Sequence, residues 1–144
     1  MVRPGIGLLC VLALAACSEP FITIPGGKLA GQILDPPVVW SEVPDTIQME
    51  MRPADPYSIN IWSVGVDTDL YVATSADGTI WTGFLEADNS VRVRLQDVIY
   101  TLKASEVRNT EERGRVADAY AQKYEVDPGD GWVIQGMIIR LDRP

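Results

Sequence analysis

The chain has no histidine among its 144 residues. That absence excludes Ser-His-Asp and Cys-His catalysis, histidine-ligated metals and imidazole acid–base chemistry. Cysteine is nearly absent as well: Cys10 and Cys17 are the two present, both near the start. Everything after position 17 holds no thiol and no disulfide, so its stability must come from a packed core. Positive charge is scarce, with 12 Lys+Arg against 20 Asp+Glu and a net charge of −8. An acidic chain carries no electrostatic footprint for nucleic acid. The uncharged apolar run over residues 6–16 falls short of the about 20 residues that a membrane-spanning helix needs. No internal repeat and no low-complexity segment is present. Gly26, Gly27 and Gly31 lack the spacing and the Lys-Ser/Thr ending of a P-loop. Asp67, Asp69 and Asp77 fall in two different turns, without the terminal bidentate Glu of a calcium loop. No paired carboxylates suited to hydrolysis stand out.

What is there begins with the leader. Arg3 precedes the uncharged run, which ends in Leu14-Ala15-Ala16-Cys17. A charged start, a short apolar stretch and small residues before a cut site describe a secretory signal. The last four residues resemble the lipobox of a bacterial lipoprotein. That resemblance implies that residues 1–16 are a signal peptide. Cys17 is then the first mature residue, with lipid on its sulfur and its amine. A plain signal peptide, leaving Cys17 as an ordinary thiol, is the competing reading. Residues 17–30 are then the lipidated cysteine and a short tether, and residues 31–144 form one domain. Ser18 after the cysteine favours, by the same resemblance, the outer membrane and a domain facing the periplasm. Only Arg3 leaves with the leader among the charges, so the mature net charge is −9. Anionic headgroups repel such a domain. Attachment must come from acyl chains, each buried methylene adding about 0.8 kcal/mol.

The domain reads as β-rich. Ile47, Met49 and Met51 alternate with Gln48, Glu50 and Arg52, the period of a half-buried strand. Residues 57–66 and 70–74 form a hairpin around the polar turn 67–69. Trp81, Phe84 and Leu85 have helical spacing and predict a short helix over 80–88. Residues 91–95 and 98–107 predict a second hairpin, with Arg92 and Arg94 on one face. Residues 110–124 predict the main helix, with Asn109 as N-cap and Glu112 as its capping-box partner. Gly114 costs that helix about 1 kcal/mol relative to alanine. Residues 132–141 predict a last strand, bulged at Gly136. Residues 26–31 read as turns, and Asp35-Pro36-Pro37 as a break. The expected fold is mainly β (α+β): a small antiparallel barrel with one longer helix and a short one.

The order of these elements carries a resemblance. Leu70-Tyr71-Val72-Ala73-Thr74, Gly78-Thr79-Ile80-Trp81 and Leu85-Glu86-Ala87-Asp88-Asn89-Ser90-Val91-Arg92-Val93 come first. Tyr100-Thr101-Leu102-Lys103-Ala104, Glu111-Glu112-Arg113 and the ending Tyr120-Ala121-Gln122-Lys123-Tyr124 follow. Together, over about residues 45–142, they resemble the flavin-binding split β-barrel superfamily that contains the pyridoxamine 5′-phosphate oxidase-like proteins. The resemblance implies a homodimer holding FMN or a related flavin between subunits, and, if an enzyme, a flavin- or deazaflavin-dependent oxidoreductase. It departs at one point. Flavin-binding members place Lys or Arg in the segment matching residues 79–85, and this chain has Trp81, Thr82, Gly83 and Phe84 there. The candidate cofactor-binding residues are Trp62 and Trp81, flanking the expected cleft, and Arg92 and Arg94, with Lys103 across the hairpin. For each there is a plainer reading: core packing for the tryptophans, a solvated strand face paired with Glu and Asp for the arginines. No side chain reads as a nucleophile with its base. A cofactorless envelope protein with a structural or interaction role is therefore the alternative function.

Overall fold

The computed structural model describes residues 26–144. The leader, Cys10, Cys17 and the first part of the tether lie outside the described residues. Seven strands follow in chain order: β1 Gln32–Ile33, β2 Thr46–Met51, β3 Tyr57–Val66, β4 Asp69–Thr74, β5 Ser90–Leu95, β6 Val98–Glu106 and β7 Met137–Asp142. The helices are α1 Ile80–Ala87, α2 Thr110–Tyr124 and the single turn α3 Trp132–Gln135. A 3-10 turn, Pro128–Asp130, precedes α3.

Strands β6, β5, β2, β3, β4 and β7 pair antiparallel in that order, and β7 returns to β6. The six close into a barrel, which leaves no long apolar edge open. One edge of β6 is shared. β1 pairs parallel to it at Val98 and Ile99, while β7 pairs at Lys103–Glu106.

Alternation decides what fills it. Ile47, Met49 and Met51, Val91 and Val93, Leu70 and Val72, and Ile139 and Leu141 point inward. Trp81 of α1 plugs one mouth, and Trp40 packs edge-on against Tyr100 with ring centroids 5.3 Å apart. Each such side chain contributes about 1.5–3 kcal/mol by leaving water. A second cluster lies outside the wall, where Val116 and Tyr120 of α2 and Val133 of α3 cover Val64, Tyr71 and Ile138.

The hairpins turn as expected, with Asp67 and Gln96 in the left-handed region at φ 54°. Three expectations are corrected. Residues 132–141 are not one strand. Gly131, at φ 65°, turns the chain into α3, and Gln135 N–H donates to Gly131 O at 2.9 Å. The apolar Trp132 and Val133 are drawn to α2 rather than into the barrel wall. Gly136 is a point of close approach instead of a bulge: a Cβ there would lie 2.4 Å from Thr74 O. Second, β1 was not anticipated. Two residues next to a Pro-Pro break carry no periodicity, and backbone pairing with β6 alone defines them. Third, only half of the capping box forms on α2. Asn109 Oδ1 accepts from Glu112 N–H at 2.9 Å, but the Glu112 carboxylate accepts from Tyr71 Oη at 2.9 Å and Arg140 Nη1 at 2.8 Å. Those bonds fasten the start of α2 to the wall.

Candidate functional site

The outer face of β2 and β5 carries the charge. Because Met49 and Met51 face inward, Gln48 and Glu50 face outward, and on β5 so do Arg92 and Arg94. The register places Glu50 directly opposite Arg92 and Gln48 opposite Arg94. Glu50 is nevertheless only 3% exposed. Residues 26–31 cross the wall as a strap above it. Gly26 bridges to Ser58, and Ser58 Oγ donates to Gly27 O at 2.7 Å. Leu29, almost fully buried, donates its N–H to Glu50 Oε2 at 2.5 Å. Part of the segment expected as a tether therefore lies pinned against the barrel.

Arg92 completes this node. Its Nη1 donates to both Glu50 oxygens at 2.9 and 3.0 Å, and Nη2 donates to Leu29 O at 3.2 Å. Arg94 Nη1 donates to Ala30 O at 3.1 Å. Lys103 faces Ser90, to whose Oγ it donates at 2.7 Å. Beside the pair opens a groove of about 230 Å³, lined by the stems of Glu50 and Arg92, by Met51, Pro53 and Val91, and by the hydroxyl residues Ser90 and Thr101. Its surface is mainly apolar, with the guanidinium turned to Glu50 and the strap. Arg92 can thus shape a ligand site while its charge is already matched.

The two tryptophans do not meet. Trp62 stands on the outer face of β3, 46% exposed, stacked on Tyr124 with centroids 4.5 Å apart and planes 9° off parallel. Trp81 is buried inside the barrel. The sheet wall separates them, so they do not flank one cleft. Even positions on β3 face out, whereas the Trp81-Phe84-Leu85 stripe turns α1 into the barrel mouth. The structure brings Arg92 and Arg94 together, stacks Trp62 on Tyr124 and packs Trp81 into the barrel core.

The ending of α2 has a structural role that sequence reading missed. Lys123 Nζ donates to the carbonyls of Val43, Pro44 and Ser63, each at 2.8 Å. Tyr124 Oη reaches Asp45 O at 2.6 Å and Ser63 O at 2.7 Å, and Tyr120 Oη donates to Trp62 O at 2.9 Å. Together they clamp carbonyls at the start of β2 and the adjoining part of β3. Burial holds the Lys123 ammonium below its ordinary pKa, with Asp45 acting against that shift. Burial pushes Tyr124 up to about 12 and raises Tyr120 further. Tyr71 is raised by burial first and then by its bond to Glu112. Glu50 was also undervalued. Alternation marks it only as an outward position on its strand; its pairing with Arg92 requires the register.

A phosphate dianion needs several converging cationic or N–H donors. At α1 the Thr82 hydroxyl is taken by the capping box, accepting from Thr79 N–H at 2.9 Å and donating to Thr79 O at 2.7 Å. The Arg52 guanidinium lies beside this helix, 4.2 Å from the Phe84 ring centroid, and is already paired with Asp55 at 2.9 Å. The residues present at α1 do not fit a flavin phosphate. Among the described residues, no group of three or more Cys, Asp or Glu is placed to hold a metal ion. No helix among them is long and apolar enough to cross a membrane.

No protein-family model and no curated protein matches the chain. Solved structures do. A candidate 5-nitroimidazole antibiotic resistance protein from Bacteroides thetaiotaomicron aligns at TM-score 0.54 and 15% identity, over 69% of this chain and 72% of that one. A candidate pyridoxamine 5′-phosphate oxidase from Listeria innocua aligns at TM-score 0.53 and 12% identity, over 69% and 84%. A FAD-binding protein from Mesorhizobium loti aligns at TM-score 0.53 and 10% identity, over 70% and 82%. The fold is a split β-barrel. At these identities the likeness is one of fold, and the split barrel's residues must speak for its ligand.

Proposed function

We propose that this chain is a lipid-anchored envelope protein whose split barrel holds a flat, uncharged ligand in the groove beside Arg92. A second copy of the chain completes the site. The observation that carries the reading is the groove itself: a mainly apolar floor, two hydroxyl residues, and an arginine whose charge Glu50 already matches. Such a lining suits a ring system without phosphate, a quinone for example. At about 230 Å³ it is smaller than the roughly 300–1,000 Å³ of typical ligand pockets, which favours a site closed by a partner copy. The fold likeness to a FAD-binding protein and to a candidate pyridoxamine 5′-phosphate oxidase supports a flat ligand. Cys17 supplies the anchor in the outer membrane. Nine residues on, at Gly26, the strap begins, so the anchor lies within roughly 30 Å of the wall at full extension. A lipophilic ligand is then close at hand.

Native mass spectrometry of the full-length lipidated protein, released from membranes in detergent, tests this. The expected result is a dimer carrying an acylated Cys17, with menadione bound on addition and FMN not bound. A monomer that binds neither compound overturns the reading. Stoichiometric FMN overturns its uncharged ligand. A cofactorless interaction protein is the second reading, favoured by the strap that covers Glu50 and occupies both arginines. Cross-linking in intact cells that captures a defined partner, together with failure to bind menadione, supports it.

A further inference from the structure

A second groove lies between α2 and the chain that follows it, and shares no lining residue with the one beside Arg92. Gly114, Ala117 and Ala121 of α2 face Val126, Trp132 and Ile134 across a space of about 230 Å³. Its walls are held in place. Arg113 donates to Val107 O at 2.9 Å, Ile134 O at 2.7 Å and Gly136 O at 2.6 Å, which ties α3 to α2. Asp127 Oδ1 accepts from Gly129 N–H at 2.8 Å and orders the connecting turn. Trp132 packs edge-on against the buried Tyr120, with centroids 5.6 Å apart.

Gly114 is the informative residue on the floor. A Cβ built there would meet nothing within 4 Å, so no neighbour in the chain requires glycine. Alanine would make the better helix. Leaving out the Cβ keeps the floor at backbone level, where an occupant can approach closely. Gly83 in α1 has equally open surroundings but lines neither groove. The charged groups lining the space are Asp118 and Asp127, and neither Lys nor Arg joins them.

We propose that this groove binds a small organic cation with an apolar body. The ammonium group sits against Asp118 and Asp127, the apolar part lies on Ala117, Ala121 and Gly114, and the Trp132 indole forms one wall. Both carboxylates are exposed at the groove and attract a cation that keeps part of its water, while Trp132 adds apolar surface beside them. The groove's size limits the ligand to something smaller than a typical drug-sized molecule. The inference does not depend on the ligand proposed beside Arg92.

Isothermal titration calorimetry of the full-length protein in detergent, with phenethylammonium as the probe, tests it. The anion 3-phenylpropanoate, of similar size, is the control. The expected result is saturable binding of the cation, with the anion at least tenfold weaker. The double substitution Asp118→Asn and Asp127→Asn, which keeps the capping oxygen at 127, should weaken the cation at least tenfold. Gly114→Leu should abolish binding while leaving the thermal midpoint unchanged or higher. No heat at millimolar cation overturns the proposal. So does equal affinity for cation and anion, or undiminished binding by either variant.

Discussion

Glu50 and Arg92 show how one residue's environment sets its energetics. The pair is largely withdrawn from water, and each partner is held by further bonds to Leu29. Removing one member of a buried pair leaves an uncompensated charge, at a cost of about 3–5 kcal/mol. Arg92→Leu should therefore destabilise the fold by that amount in urea denaturation. The double change Glu50→Leu with Arg92→Leu should recover most of the loss, because buried pairs replaced by apolar groups are often neutral. A double variant as unstable as the single one would show that the strap, not the charge, dominates. Lys123 gives a second residue-scale expectation. It donates to three carbonyls, and hydrogen bonds to charged groups contribute about 1.5–3 kcal/mol each. Lys123→Met should lower stability by at least about 1.5 kcal/mol, read from the urea midpoint at constant slope. Pairing of Arg92 with an acid was the plainer reading of that strand face, but the burial of the pair and the Lys123 clamp were not visible beforehand. Arg92 was legible as a candidate because strand alternation put it on a face with Arg94. Glu50 alternates off the apolar face of its strand and reads as solvent-exposed sooner than as part of a groove; its burial was not legible, because its partner is 42 positions away and its cover comes from residues 26–31.

At the scale of elements, strands β2 to β6 and the two longer helices were legible. Alternation over residues 47–51 and 91–95, and the apolar spacing of α1, report faces directly. The last expected strand starts five residues late, at Met137, because an apolar run does not say which surface it will join. Trp132 and Val133 joined α2, and a single glycine let the chain pass Thr74. Two glycines then give opposite expectations. Gly136→Ala forces a Cβ to within 2.5 Å of the Thr74 and Trp132 carbonyls and should destabilise by about 1–3 kcal/mol. Gly114→Ala meets open space and should stabilise α2 by about 1 kcal/mol. Differential scanning calorimetry of the two variants checks both signs at once.

For the whole molecule, alkaline pH is the most informative stress. Tyr71, Tyr120 and Tyr124 all hold their protons more tightly folded than unfolded. Their contribution is complete below the unfolded tyrosine pKa of about 10. It is lost as pH rises through the folded values, about 12 for Tyr124. Lys123 acts the other way, because its depressed pKa makes deprotonation stabilising between its folded and unfolded values. Three phenols against one amine predict a net fall in stability above about pH 10, accompanied by tyrosinate absorbance appearing with unfolding. A urea midpoint that rises from pH 9.5 to 11.5 would refute it. The sequence by itself determined the absence of imidazole chemistry, a core without disulfides, the acidic balance and the faces of most strands. These follow from composition and local period, which need no knowledge of neighbours. Tertiary structure alone decided that the barrel closes through β6 and β7, and that Trp62 and Trp81 lie on opposite sides of its wall. It also decided that the strap covers Glu50, and that a groove opens at Gly114. Each of these depends on which distant segments share a surface, and burial and charge matching are properties of that surface rather than of any stretch of chain.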